Sequence, residues 1–158
     1  PFSAKERMDH DMDYVPRVFV HCYPEDSDMG RSAHTDFELL VEKDDYYLAL
    51  AFPHTGRQHQ IRTHAAHHGF PLLGDKLYNG DPTVFMRFKD LIATKEDHEL
   101  MQIPRHALHS VGIKLPDKDV FIADLPYDLT EWIKNTLKLD IEQLEGSIHK
   151  IVKDKLSS

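Results

Sequence analysis

The stretch from His54 to Leu72, HTGRQHQIRTHAAHHGFPL, constrains this chain more than any other. Between His54 and His68 it holds five histidines and two arginines and no acid, although the formal net charge of the chain is -8. An acidic chain that meets a polyanion must gather its few cations where contact is made. The function is therefore placed in this block. Its local architecture is also legible. Thr55-Gly56 signals a turn, Gln58 to His68 has no glycine or proline, and Gly69 followed by Phe70-Pro71 stops a helix. A helix is expected from about Arg57 to His68, with Ile61 and Ala65 as its buried stripe and Arg62 roughly 100° further round, half-buried and able to face a cleft.

T-G-R-Q-H-Q-I-R-T-H, then H-G-F-P-L-L-G-D-K-L-Y, resembles the signature of the RluA-type pseudouridine synthases, T-G-R-x-H-Q-I/L-R-V-H followed by G-H-P-I-x-G-D-x-x-Y. The resemblance extends both ways. Val15-Pro16-Arg17 and Gly30-Arg31-Ser32-Ala33-His34-Thr35 are similar to the family's R-P-R and G-K-x-A-x-T segments. Arg105-His106-Ala107-Leu108-His109-Ser110 is similar to its R-x-A/L-L-H-A strand, and Ala123-Asp124-Leu125-Pro126 to its A-P-L-P ending. Together these cover Asp9 to Trp132.

The resemblance implies isomerisation of uridine to pseudouridine in structured RNA, ribosomal or transfer, in the cytoplasm and without metal or organic cofactor. It assigns Arg62 to hold a catalytic aspartate ionised, since an opposing guanidinium lowers a buried carboxyl's pKa. Arg57, His59 and Gln60 are expected to contact phosphate, sugar or the local backbone, and Leu108 to wall the base pocket. The family's aspartate sits in an upstream H-R-L-D-x-x-T-S-G motif. Arg7-Met8-Asp9 has only a superficial likeness to it and lacks the Thr-Ser-Gly. The chain is accordingly expected to be the C-terminal half of the catalytic domain, residues 1–132, with a helical extension over 133–158. Its partners would be RNA and the missing N-terminal half or a second subunit. Alone it would be inactive.

Two rival functions arise from the same block. His64 and His68 at i, i+4 spacing, with His67 or His59 nearby, could hold zinc. No H-E-x-x-H is present and no carboxylate lies in the block, so a metallohydrolase is disfavoured. The second rival is a non-catalytic RNA-binding or assembly module that keeps the RNA-facing helix.

The rest reads as α+β, part of a mixed, mostly antiparallel sheet flanked by helices. Phe37-Leu39-Val41 and Leu48-Leu50-Phe52 alternate around Lys43-Asp44-Asp45 as a hairpin. Asp81-Pro82 opens a helix with Val84, Phe85, Phe88, Leu91 and Ile92 as its stripe. A loop is expected over 94–102. Ala107 to Leu115 and Val120 to Ile122 form a second hairpin, with His109 as a hydrogen-bonded core residue. Asp128 to Glu131 reads as a capping box before Trp132, Ile133, Thr136 and Leu137. Asp140 caps a last helix whose stripe of Ile141, Leu144, Ile148, Ile151 and Val152 needs a partner surface. Gly74-Asp75 is read as a tight turn orienting Tyr78, and His34, His98 and His106 as scattered surface residues.

At 158 residues and 41% hydrophobic content the chain can bury one core. The single cysteine, Cys22, rules out an internal disulfide framework and suits a reducing compartment. The acidic balance argues against non-specific DNA coating, which needs a broad basic surface.

Overall fold

The computed structural model describes residues 1–10 and 18–157. Val15-Pro16-Arg17, one of the family-like segments, lies outside the described residues. Two compact units are present, residues 1–106 and 107–158, whereas the sequence places a boundary after Trp132.

In the first unit, strand formation follows the alternation. β1 (Phe2–Ala4) pairs with β4 (Thr35–Lys43), which pairs with β5 (Tyr46–Pro53), giving an antiparallel sheet of order β1-β4-β5. The turn between β4 and β5 falls at Asp44-Asp45, where Asp44 takes a positive φ of 52°, a conformation Asp tolerates better than most residues. Ala4 and Phe37 from this sheet pack on Ala65, with Ala51, Ile61 and Leu72 around them. The expected stripe on β4 is interrupted. Leu39 pairs with Ala49 but Val41 with Leu48, and this bulge leaves Leu39 45% exposed. β2 (Arg7–His10) and β3 (Val20–Tyr23) form a separate antiparallel pair that buries Met8 and Val20 against Ala33. Among the described residues every strand pairing is antiparallel, in three sheets.

The helices show where local signals suffice. α1 spans Gln60–His67, starting later than expected because Arg57 to His59 form a turn, with Gln60 N donating to Arg57 O. Gly69 stops it as expected, at φ 84°, with Gly69 and Phe70 amides donating to Ala66 and Ala65 carbonyls. Its buried face is Gln60, Thr63, His64 and Ala65, more polar than the anticipated Ile61 and Ala65 pair. α2 (Pro82–Lys89) is capped by Asp81, whose Oδ1 accepts from Thr83 N at 2.6 Å. Of its expected stripe, only Val84 is fully buried. Leu91 and Ile92 follow the helix end and are 91% and 65% exposed.

Residues 94–102 correct the loop reading. Lys95–Met101 is helix α3, opened by a reciprocal cap in which Thr94 Oγ1 accepts from Asp97 N and Asp97 Oδ2 from Thr94 N. An aspartate in place of the usual Glu or Gln hid the box. Arg87 of α2 then forks onto the same Asp97.

The second unit pairs β6 (Gly112–Lys114) with β7 (Val120–Ile122). Residues 107–111 do not extend that strand. His109 is half-buried, and its Nε2 is 2.9 Å from the Asp124 carbonyl. α4 (Tyr127–Trp132) has Pro126 at its N-cap and no side-chain cap, so the Asp128 to Glu131 capping box does not form. The helix runs on through a π-helical stretch, Ile133–Leu137. α5 (Ile141–Ser157) is capped by Asp140, which accepts from Gln143 N at 2.9 Å. Its buried Leu144, Ile148 and Val152 find their partner in β6 and β7. There Gly112 is required, since a Cβ would lie 2.3 Å from Val152 Cγ1. Among the described residues, no helix is long and apolar enough to cross a membrane.

Candidate active site

Gln60 organises the entry to α1. Its Oε1 accepts from Thr55 Oγ1 at 2.7 Å and Arg57 N at 2.9 Å, while its Nε2 donates to His34 O and Thr35 Oγ1. These four bonds exhaust the capacity of an amide side chain, and Gln60 is only 4% exposed. Of the contacts expected for it, the local backbone is therefore the one it makes, and RNA is not available to it. The mount also holds His59 in the left-handed region at φ 56°, which costs a non-glycine residue roughly 1–2 kcal/mol.

That turn aims His59 at Tyr78. Val20 N donates to the Tyr78 hydroxyl oxygen at 3.0 Å, and the hydroxyl lies 3.0 Å from His59 Nδ1. The Tyr78 oxygen keeps a second lone pair beside the one facing Val20 N, so Nδ1 of a neutral His59 meets the phenol either as acceptor or as donor. Burial, followed by the nearby Arg62 charge, pulls the His59 pKa below its ordinary value and favours this neutral form. Burial raises the Tyr78 hydroxyl, keeping it a donor.

Arg62, one turn into α1, is the charged centre. Its Nε donates to Asp75 Oδ2 and its Nη2 to Asp75 Oδ1, both at 2.7 Å, and the guanidinium lies 5.1 Å from the centre of the Tyr78 ring. Asp75 is fully buried and also accepts from the Leu77 and Tyr78 amides. Burial pushes its carboxyl up, but the Arg62 fork and the two amides outweigh that and hold it below the usual carboxylate range. Conversely, burial lowers Arg62 and Asp75 more than restores it, so the guanidinium stays charged. The sequence reading gave Arg62 an aspartate outside this chain. The aspartate that fixes it here is Asp75, through Nε and Nη2. The residues were visible in L-L-G-D-K-L-Y, but pairing across 13 positions depends on tertiary folding.

The Gly74-Asp75 turn is built as expected and does more than orient Tyr78. Gly74 has φ +72°, and a Cβ there would lie 2.1 Å from the Arg105 carbonyl oxygen. Only glycine lets the turn close on residues 103–105. Between these segments is a cavity of about 400 Å³. Arg62, Lys76, Arg105, His59 and His106 line it, with Phe85 on an apolar side, and no described lining residue is acidic. His106 thus belongs to the site and is not surface scatter. Burial, then the Arg62 charge, lowers its pKa.

Other expected site residues lie elsewhere. Arg57 is exposed, donates from Nε to Ser32 O at 2.9 Å and does not line the cavity. Leu108 belongs to the second unit and is likewise absent from the lining. Asp9 is exposed on β2. His64 is wholly buried, with Nδ1 2.9 Å from Thr35 Oγ1, and His68 Nε2 is 3.0 Å from Glu6 Oε1. Through Thr35 and Glu6 these rings tie α1 to β4 and to the N-terminal segment. His34 is not scattered either. It stacks on His54 and bonds Asp36.

No family model matches the chain. It is 33% identical over 126 residues to the ribosomal large subunit pseudouridine synthase D of Haemophilus ducreyi, covering 77% of this chain and 37% of the relative. The proteins of the same name from Yersinia pestis and Pseudomonas aeruginosa are each 33% identical, over 76% and 75% of this chain and 37% of their own length. The chain thus spans little more than a third of the length of these curated relatives. On motif and relatives together, the chain belongs to the RluA-type pseudouridine synthase family.

Proposed function

We propose that this chain is part of an enzyme that isomerises uridine to pseudouridine in structured RNA, ribosomal or transfer, in the cytoplasm. One observation carries the reading. A guanidinium held charged by a buried carboxylate stands at a cavity lined with further cations, within the motif that the family shares. A cavity of about 400 Å³ falls in the size class of small-molecule sites, so it suits one extruded nucleotide rather than a duplex. In the reaction the N1–C1′ bond of uridine breaks, the uracil turns, C5 bonds to C1′, the C5 proton leaves and N1 takes up a proton. No atom is gained or lost and no electron is transferred, so the site has no need of a redox group.

The residues divide accordingly. Lys76 and Arg105 supply positive potential for the phosphate and sugar of the flipped nucleotide. His59, held against the Tyr78 hydroxyl, places its imidazole at the cavity wall. Arg62, fixed by Asp75, keeps a second, attacking carboxylate ionised, as the family resemblance implies. That carboxylate comes from the missing N-terminal half or a second subunit. Arg57 contacts RNA outside the cavity. Residues 1–132 would form the share of the catalytic domain, with 133–158 its helical extension.

The test is tritium release from C5-labelled uridine in ribosomal and transfer RNA transcripts. The chain alone is expected to give none, and addition of the N-terminal half to restore it. Turnover by the chain alone would make an internal carboxylate the nucleophile. RNA binding without turnover, even with the N-terminal half present, would support the alternative of a non-catalytic binding module.

A further inference from the structure

His34, Asp36 and His54 converge in a way that strand geometry explains. Side chains at i and i+2 on a strand share a face, so His34 and Asp36 emerge together at the start of β4. The β4–β5 register pairs Thr35 with Pro53, which sets residue 34 opposite residue 54, and the His54 amide donates to the His34 carbonyl at 2.9 Å. Directly opposed residues also share a face. The two imidazoles stack at 4.2 Å between centroids and 19° between planes. Nε2 of His34 lies 3.1 Å from Asp36 Oδ1, and Nε2 of His54 lies 2.6 Å from Oδ2. One ligand atom from each residue falls within 4.8 Å of the other two. Ser3 Oγ donates to Asp36 Oδ1, the oxygen that also faces His34, and so fixes the carboxylate's orientation, as outer-shell partners do in metal sites.

We propose that His34, Asp36 and His54 form a zinc-class divalent cation site, apart from the cavity around Arg62. Two imidazole nitrogens and a carboxylate suit Zn²⁺ with water in the fourth position, at arms of about 2.0–2.1 Å. Such arms at tetrahedral angles separate neighbouring ligand atoms by about 3.3 Å. The bonds of 3.1 and 2.6 Å already bring each nitrogen to the carboxylate, and uptake of the ion requires the two stacked rings to rotate until both Nε2 lone pairs point at it. All three side chains are partly exposed, at 32, 40 and 51% for His34, Asp36 and His54, which leaves an entry path. The ion would staple the start of β4 to the end of β5. It would thereby steady the turn that bears Arg57, since Thr55 Oγ1 already accepts from the His34 amide and Arg57 Nε donates to Ser32 O.

The experiment is Zn²⁺ titration of the metal-free, untagged chain, read by competition with a chromophoric chelator and by Tm. Expected are one ion per chain, an affinity on the order of micromolar, and a Tm that rises with zinc. Asp36→Asn and His54→Gln should each weaken binding at least roughly tenfold, while His68→Gln leaves it unchanged. Co²⁺ should give the intense visible absorption of four-coordinate cobalt, a readout that needs no variant and so survives a variant that fails to fold. Absence of stoichiometric binding, a pale six-coordinate cobalt spectrum, or binding lost in His68→Gln but kept in Asp36→Asn would each overturn the proposal.

Discussion

Two Arg–Asp forks of nearly the same geometry stand in the first unit, in different settings. Arg62 meets Asp75 with two bonds of 2.7 Å, and Arg87 meets Asp97 with bonds of 2.7 and 2.5 Å. Their surroundings differ. The first pair has side-chain exposures of 16 and 0%, the second 30 and 5%. Asp97 spends its carboxylate on a helix cap, and Arg87 ties that cap to α2 and to Thr83. Arg62 lies over Tyr78 and borders the cationic cavity. Bond length alone cannot separate a functional arginine from a structural one. Desolvation and what else the fork faces do so.

The comparison breaks most sharply at Asp75. Asp75→Asn removes the charge that compensates buried Arg62, and stripping one partner from a buried pair costs about 3–5 kcal/mol. Urea unfolding should show that loss, and a clearly smaller one for Asp97→Asn. Equal losses would erase the distinction. The pH dependence has a definite sign. The folded-state pKa of Asp75 is depressed, so its contribution is present above the unfolded value of about 3.9 and is lost as pH falls through the folded value. The gap between wild type and Asp75→Asn should therefore narrow below about pH 4.

Next in size is Arg62→Lys in the proposed complex of this chain with an N-terminal half of the catalytic domain. Lysine keeps the charge but not the planar fork. The expected loss is at least ~10²-fold in single-turnover rate, about 2.7 kcal/mol, with little change in RNA affinity measured by filter binding. Wild-type turnover would reduce Arg62 to a second Arg87. The smallest effect belongs to the structural fork. Thr94→Ala removes the reciprocal cap on α3 at about 1 kcal/mol, seen as a lower urea midpoint, and should leave RNA affinity unchanged.

Much was readable in advance wherever cause and effect lie within a few residues. Asp81-Pro82 and Asp140 cap their helices, Gly69 ends α1, and Asp44-Asp45 turns the hairpin. Each signal acts on backbone groups one to three positions away. The missed helix α3 also had a local signal, obscured because Asp97 replaced the longer acid of a familiar box.

The sequence by itself determined the family and the α+β class. Those follow from side-chain order, turn residues and period, all local properties. Only the tertiary structure decided what each polar side chain is for. It took Gln60 away from RNA and spent it on residues 34, 35, 55 and 57. It gave Arg62 its partner in Asp75, brought His106 to the cavity, and set His34 opposite His54 over Asp36. The physical reason is that burial and pairing depend on which distant segments meet. A buried charge or amide is stable only when those segments deliver its complement.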